Sequence, residues 1–180
     1  DWTFWQSGGF LAVWIIGYGI VQAATPRLLR SRVDEQREPD GRTATVLAFV
    51  LAALPAGIAV ALSAGVAPAP VVVTGLIVFG VVFALNSAVH SYLILAYTDS
   101  DKVAMNVGFY YMANASGRLA GTVLSGALYQ WGVQSGASNG LVACLWASSA
   151  FVLAAGLLSL LLPRHSGPRS KPIKLGDLGE

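Results

Sequence analysis

Five long stretches of this chain carry almost no charge, and that property constrains the fold more than any other. They run approximately over residues 4–25, 43–62, 71–97, 103–129 and 141–162. A helix needs about 20 mostly apolar residues to cross roughly 30 Å of hydrocarbon, and each stretch has that length. In lipid, the backbone must satisfy its own N–H and C=O groups, which leaves helices or closed barrels; uninterrupted runs of this kind select helices. The expected fold is therefore all-α and integral to the membrane, with five transmembrane helices over residues 1–163 and a basic cytoplasmic tail over 164–180. Composition agrees, with 55% hydrophobic and 11% charged residues, where a soluble domain carries about 25% charged. This balance argues against a disordered chain and against a strongly nucleic-acid-binding one.

The net charge of +2 matters less than where the charges sit. Five of the eleven Lys and Arg fall between Arg27 and Arg42, four between Arg164 and Lys174, and one is Lys102. The eleventh, Arg118, stands inside the fourth apolar run. Along the chain the connections alternate between charged and uncharged, so every Lys and Arg outside a span lies on one side of the bundle. By the positive-inside rule that side is cytoplasmic, with the first residue outside and the C-terminus inside, in a multi-pass protein of the cell (inner) membrane. Trp2, Trp5, Tyr129 and Trp131 gather at the opposite side, where an outer aromatic belt belongs. An odd number of spans with the N-terminus outside is what remains of an even-spanning protein that has lost its front. The chain also begins at Asp1 with no basic leader before its first apolar run, so residues 10–24 read as structure and not as a secretory signal. A true five-span protein is the alternative.

The second and fifth runs are dense in Ala, Leu and Val, whereas the first, third and fourth are studded with polar side chains. In the fourth, Arg118 lies about 20 to 24 Å from each end at 1.5 Å per residue. An Arg near the bilayer centre costs about 2.5 to 3.5 kcal/mol on insertion scales, which drives it toward protein interior or a water-filled path. Tyr111, Asn114, Arg118, Thr122, Ser125 and Tyr129 share an arc of about 80° at 100° per residue. For Thr122 and Ser125 alone, hydrogen bonding to a neighbouring helix is the simpler reading; Arg118 turns the stripe into a candidate cavity wall. Gly117, Gly121 and Ser125 form a small-xxx-small repeat, which predicts one tightly packed edge. In the third run Asn86, His90 and Tyr97 fall within about 40° of one another, with Phe79 and Phe83 on the same side. In the first, Trp14, Tyr18, Gln22 and Thr25 share about 80°, and Pro26 is expected to end the helix. That aromatic stripe suits packing as well as substrate contact.

Catalytic patterns are missing: no span holds an Asp or Glu, and there is no HExxH, GxSxG or phosphate-cradling loop. No enzyme activity and no cofactor is expected. Cys144 is the only cysteine, so intrachain disulfides and Cys-based metal sites are excluded, and packing is its expected role. The loop from Arg27 to Arg42 also contains four acidic residues, which reads as a solvated charged hairpin.

Two segments carry a resemblance. GYGIVQAATPRLLR, from Gly17 to Arg30, and HSYLILAYTDSDKVAMNVGFYYMANASGRLAGTVLSGALYQ, from His90 to Gln130, resemble the organoarsenical efflux permeases of the ArsJ type, in the major facilitator superfamily. FYYMANASGRLAG is the most specific part. The resemblance covers essentially the whole chain and implies the last five helices of a twelve-helix facilitator fold. It further implies export of 1-arseno-3-phosphoglycerate, the ester formed when a glyceraldehyde-3-phosphate dehydrogenase uses arsenate in place of phosphate, and hence arsenate resistance. The residues agree in one respect: a small polyanion needs a cation, and Arg118 offers a planar, permanently charged fork. Asn114, Tyr111, Asn86 and His90 are expected to add donors, and Gln22 completes the expected substrate-binding set. The partners implied are the small anion, the bilayer, the missing N-terminal half, and the dehydrogenase as a functional link. A drug or metabolite exporter, and a membrane scaffold with no substrate, are the alternatives.

Overall fold

The computed structural model describes residues 2–32, 41–98, 101–134 and 140–162. Most of the charged hairpin, the middle of the connection after the fourth run, and the basic tail lie outside the described residues. Five helices account for nearly all of the rest: α1 (Phe4–Arg32), α2 (Gly41–Ser63), α3 (Pro68–Ala96), α4 (Val103–Gln134) and α5 (Gly140–Ser159). Each coincides with one expected span to within a few residues, except at two ends. α1 continues through Pro26 to Arg32. Proline deletes one i to i−4 bond, here the one to the Gln22 carbonyl, and such a loss kinks a helix without having to stop it. α4 runs five residues past Tyr129, to Gln134.

Four of the helices are long and apolar enough to cross a membrane: Phe4–Thr25, Gly41–Ser63, Pro68–Ala96 and Gly140–Ser159. The fourth expected span differs. α4 is long enough, at 32 residues, but its Asn, Gln, Ser, Thr, Tyr and Arg side chains dilute the apolar ones too far. A helix of that composition placed at bilayer depth requires protein or water along one side.

The helices pack in the spatial order α1, α3, α2, α5, α4, with α4 returning to touch α3 only weakly and never reaching α1 or α2. Directions follow from paired contacts. Trp14 meets Leu76 and Gln22 meets Ser87, so α1 and α3 are parallel. Thr45 meets Ser159 and Ala52 meets Ser149, so α2 and α5 are antiparallel. Odd helices therefore run one way and even helices the other, which brings Trp2 and Trp5 to the same end of the bundle as Tyr129 and Trp131.

α2 is the centre of the packing. Its Ala44, Ala48, Leu51, Ala52, Ile58 and Ala59 are buried, against α5 on one side and α3 on the other. Near the charged end, Ala44, Val89 and Leu93 form a core on which Leu47, Tyr92, Tyr97 and Leu162 close. The α2–α5 seam is fastened by groups the sequence made look incidental. Thr45 Oγ1 donates to the Ser159 carbonyl at 3.1 Å. Ser149 Oγ donates to the Ala52 carbonyl at 2.7 Å, in the turn that Pro55 loosens by removing an N–H. Small residues admit the close approach, and these hydroxyls hold it.

Close approach is also why Gly80 is glycine. A Cβ there would lie 2.8 Å from Trp14 Nε1. Through that gap the indole donates to the Leu76 carbonyl at 2.7 Å. Trp14→Phe keeps the ring packing and deletes the donor, so a loss of about 0.5–1.5 kcal/mol is expected, read as a lower unfolding temperature in detergent.

Candidate functional site

The residues expected to bind substrate sit on three helices. Tyr111, Asn114 and Arg118 are on α4, Asn86 and His90 on α3, and Gln22 on α1. The structure brings Gln22 to α3, where its Nε2 donates to Ser87 Oγ at 3.3 Å. It does not join the α4 group to the other two, because α4 touches α3 only weakly and α1 not at all.

Arg118 is at the midpoint of α4, about 23 Å from either end at 1.5 Å per residue. From Tyr111 to Ala127 every residue of α4 is exposed. Among the described residues the guanidinium has no hydrogen-bond or ion-pair partner. The stripe around it is less hungry for contacts than the sequence suggests: Thr122 Oγ1 donates back to the Arg118 carbonyl at 2.9 Å, and Ser125 Oγ to the Thr122 carbonyl at 3.0 Å. Both hydroxyls are thus satisfied within the helix and do not clasp a neighbour. What the stripe leaves without a partner among the described residues is Arg118, Asn114 and the phenols of Tyr129 and of Tyr111, the last with its ring edge-on to Tyr110 at 5.5 Å.

The expected tight edge is open at Gly117 and Gly121, where nothing lies within 4 Å of a built Cβ, and only Ser125 of the repeat meets a neighbour. α4 and α5 come within 2.7 Å near their connection, measured from a Cβ built on Gly132 to the Gly140 Cα. The helices diverge from that point, and the two glycines of the repeat fall where they have already parted. Cys144 lies along this contact, its Sγ donating to the Ser125 carbonyl at 3.2 Å.

On α3, Asn86 and His90 lie on the arc between the side that meets α1, marked by Leu76, Gly80 and Ser87, and the side that meets α2, marked by Gly75, Val89 and Leu93. Both are half-buried. His90 Nδ1 sits 2.9 Å from the Asn86 carbonyl oxygen. Asn86 Oδ1 is buried without a partner among the described residues, an arrangement that costs free energy in any medium of low polarity. Beside them the aromatic residues of α1 and α3 form one ladder: Trp14 stacks on Tyr18, Tyr18 on Phe83, and Phe83 on Phe79, with centroids 6.1, 5.6 and 5.6 Å apart. The α1 stripe is therefore packing against α3. Ser87, the partner of Gln22, escaped the sequence reading; its signal was its place one residue after Asn86, on the side turned to α1.

The chain matches no described protein family, no curated protein and no solved structure.

Proposed function

We propose that this chain is part of a secondary transporter, an efflux permease that carries a small organic anion out of the cell, with 1-arseno-3-phosphoglycerate as cargo and arsenate resistance as the result. One observation carries the reading. Arg118 is permanently charged, central on a long helix, on a polar face and without a partner among the described residues. None of the nine carboxylates of the chain lies within an apolar run, so neither this chain nor a second copy of it can neutralise that charge at its own depth. A small anion can, through the bidentate geometry that guanidinium shares with carboxylate, phosphate and arsenate. Donors on Asn114 and Tyr111 of the same helix suit the remaining oxygens; in this reading Asn86, His90 and Gln22, which stand apart on α3 and α1, serve the cargo's path and not the Arg118 contact itself.

In this reading the spans are the last five of a facilitator fold, in which cargo sits near the bilayer midplane between halves that rock around it. The preceding part of the transporter supplies the opposing wall. The connections bearing Lys and Arg face the cytoplasm, and the Trp and Tyr residues at the other end face outward. Expression of the full protein with a glyceraldehyde-3-phosphate dehydrogenase in arsenate-sensitive cells is expected to raise arsenate tolerance, and everted vesicles are expected to accumulate the labelled arseno-ester. Tolerance that does not depend on the dehydrogenase, or vesicles that exclude the ester, would count against the cargo.

A further inference from the structure

We propose that the basic segment from Arg164 to Lys174 binds anionic phospholipid headgroups of the leaflet at which it leaves the bundle. Arg164, Arg169, Lys171 and Lys174 place four permanent positive charges in that segment, and no carboxylate occurs between Asp101 and Asp177. A basic run directly after a membrane helix meets the negative surface potential of anionic lipid, which falls off within a Debye length, about 8 Å at physiological salt. Distance therefore decides whether these charges can act. The end of α5 sets that distance. Ser159 is buried, and its hydroxyl donates to Thr45 Oγ1 near the start of α2 at 3.0 Å. The chain then tightens, with the Leu161 and Leu162 N–H groups each donating three residues back at 3.1 Å, and Leu162 packs on the core of Ala44, Val89 and Leu93. Arg164 follows two residues later, within about 7 Å of chain. The basic run thus starts inside the Debye length of the surface where the bundle ends.

The bundle itself is a poor partner for this charge. At the same end Arg42, in the first turn of α2, and Lys102, just before α4, are exposed, and Asp101 is the one carboxylate among the described residues there. Four more carboxylates, Asp34, Glu35, Glu38 and Asp40, belong to the charged hairpin, where they are interleaved with Arg27, Arg30, Arg32, Arg37 and Arg42. Those arginines outnumber them, so the hairpin has no net negative charge with which to draw the tail. A leaflet holding anionic lipid does, and it lies beside the point of exit. The inference stands apart from the anion-export reading, since it needs neither the cargo nor Arg118, and it holds for either orientation of the bundle.

The test places a nitroxide on Ser170→Cys in the full protein, with Cys144→Ala and every cysteine of any further part replaced by Ala, and measures its collision rate with a neutral nickel chelate in the water phase. In vesicles of phosphatidylcholine with about one-third phosphatidylglycerol, the rate is expected to be about fivefold lower than in phosphatidylcholine alone, and to recover in about 1 M salt, where the Debye length is about 3 Å. Arg164→Gln, Arg169→Gln, Lys171→Gln and Lys174→Gln together are expected to abolish the difference; all four lie beyond Leu162, the residue through which α5 closes on the core. Asp34→Asn, Glu35→Gln, Glu38→Gln and Asp40→Asn together are expected to leave it unchanged. Equal collision rates in the two kinds of vesicle, or a difference that survives the four tail substitutions, would overturn the inference. So would protection in pure phosphatidylcholine that the hairpin substitutions remove, which would make the hairpin the partner in place of the lipid.

Discussion

Arg118→Ala is expected to abolish anion efflux while the protein stays in the membrane at close to normal abundance. The side chain is exposed and makes no contact among the described residues that its removal would orphan, and the bundle is held elsewhere, by α2 against α3 and α5. Truncating one partner of a desolvated charge pair costs about 2–5 kcal/mol, which is a loss of roughly 30-fold to several thousandfold in anion affinity. Arg118→Lys keeps the charge and loses the fork, so an intermediate loss of about tenfold is expected. Efflux from loaded vesicles, normalised to protein content by immunoblot, separates the readings. A scaffold predicts the reverse pattern, with abundance altered and no anion flux to lose. An exporter of apolar cations predicts faster transport of its cargo once the positive charge is gone.

The second large effect is on assembly. Gly132→Val is expected to detach α4 from α5. The added Cβ would stand 2.7 Å from the Gly140 Cα, and a backbone atom cannot step aside as the end of a side chain can. Overpacking of this kind costs about 1–3 kcal/mol where side chains yield, and more where backbone is involved. Gly140 is constrained from the other direction, since a Cβ there would run into the Tyr129 carbonyl. Gly57→Ala is the contrast. Nothing lies within 4 Å of its Cβ position, and alanine favours the helix by up to about 1 kcal/mol. Unfolding temperature in detergent is expected to fall clearly for Gly132→Val and to hold or rise for Gly57→Ala. Equal behaviour of the two would mean that the α4–α5 crossing is not as described.

The helices were legible because their signal is local. Twenty or more apolar residues in a row define a helix in lipid whatever its neighbours, and the alternation of charged and uncharged connections already implied the antiparallel order. Two local readings failed for reasons the chain cannot display in one dimension. Pro26 reads as a stop, yet the loss of one hydrogen bond did not end α1. The Gly117, Gly121 and Ser125 repeat reads as a contact, yet a repeat states only that an approach is possible. α4 meets α5 at Gly132 and Gly140 and parts from it toward Arg118, a property of two helices together that a repeat in one of them does not carry.

The candidate site was legible residue by residue but not as an assembly. Arg118 stood out because a charge in an apolar run has no cheap place to be, and the structure leaves it exposed on α4 and unpaired among the described residues. Asn86 and His90 stood out as polar groups at helical spacing; only the packed structure shows that the imidazole is tied through Nδ1 and that the amide oxygen has no partner among the described residues. Thr45, Ser149 and Ser159 were passed over because one hydroxyl in an apolar helix is unremarkable in sequence. Their importance lies in facing carbonyls across a seam, which is a property of pairs of helices. The α3 and α4 groups are not in contact.

The central claim is that the face of α4 around Arg118 is an aqueous anion site, and cysteine accessibility tests it most directly. Cys144 is the only cysteine of this sequence, so Asn114→Cys in a background with Cys144→Ala, and with every cysteine of any further part of the protein replaced by Ala, places a single thiol one turn from an intact Arg118. The account predicts that a small anionic thiosulfonate in the water phase modifies this thiol, and that millimolar phosphoglycerate slows the modification several-fold. A thiol that the aqueous reagent never reaches, or one whose rate is indifferent to the anion, would contradict it.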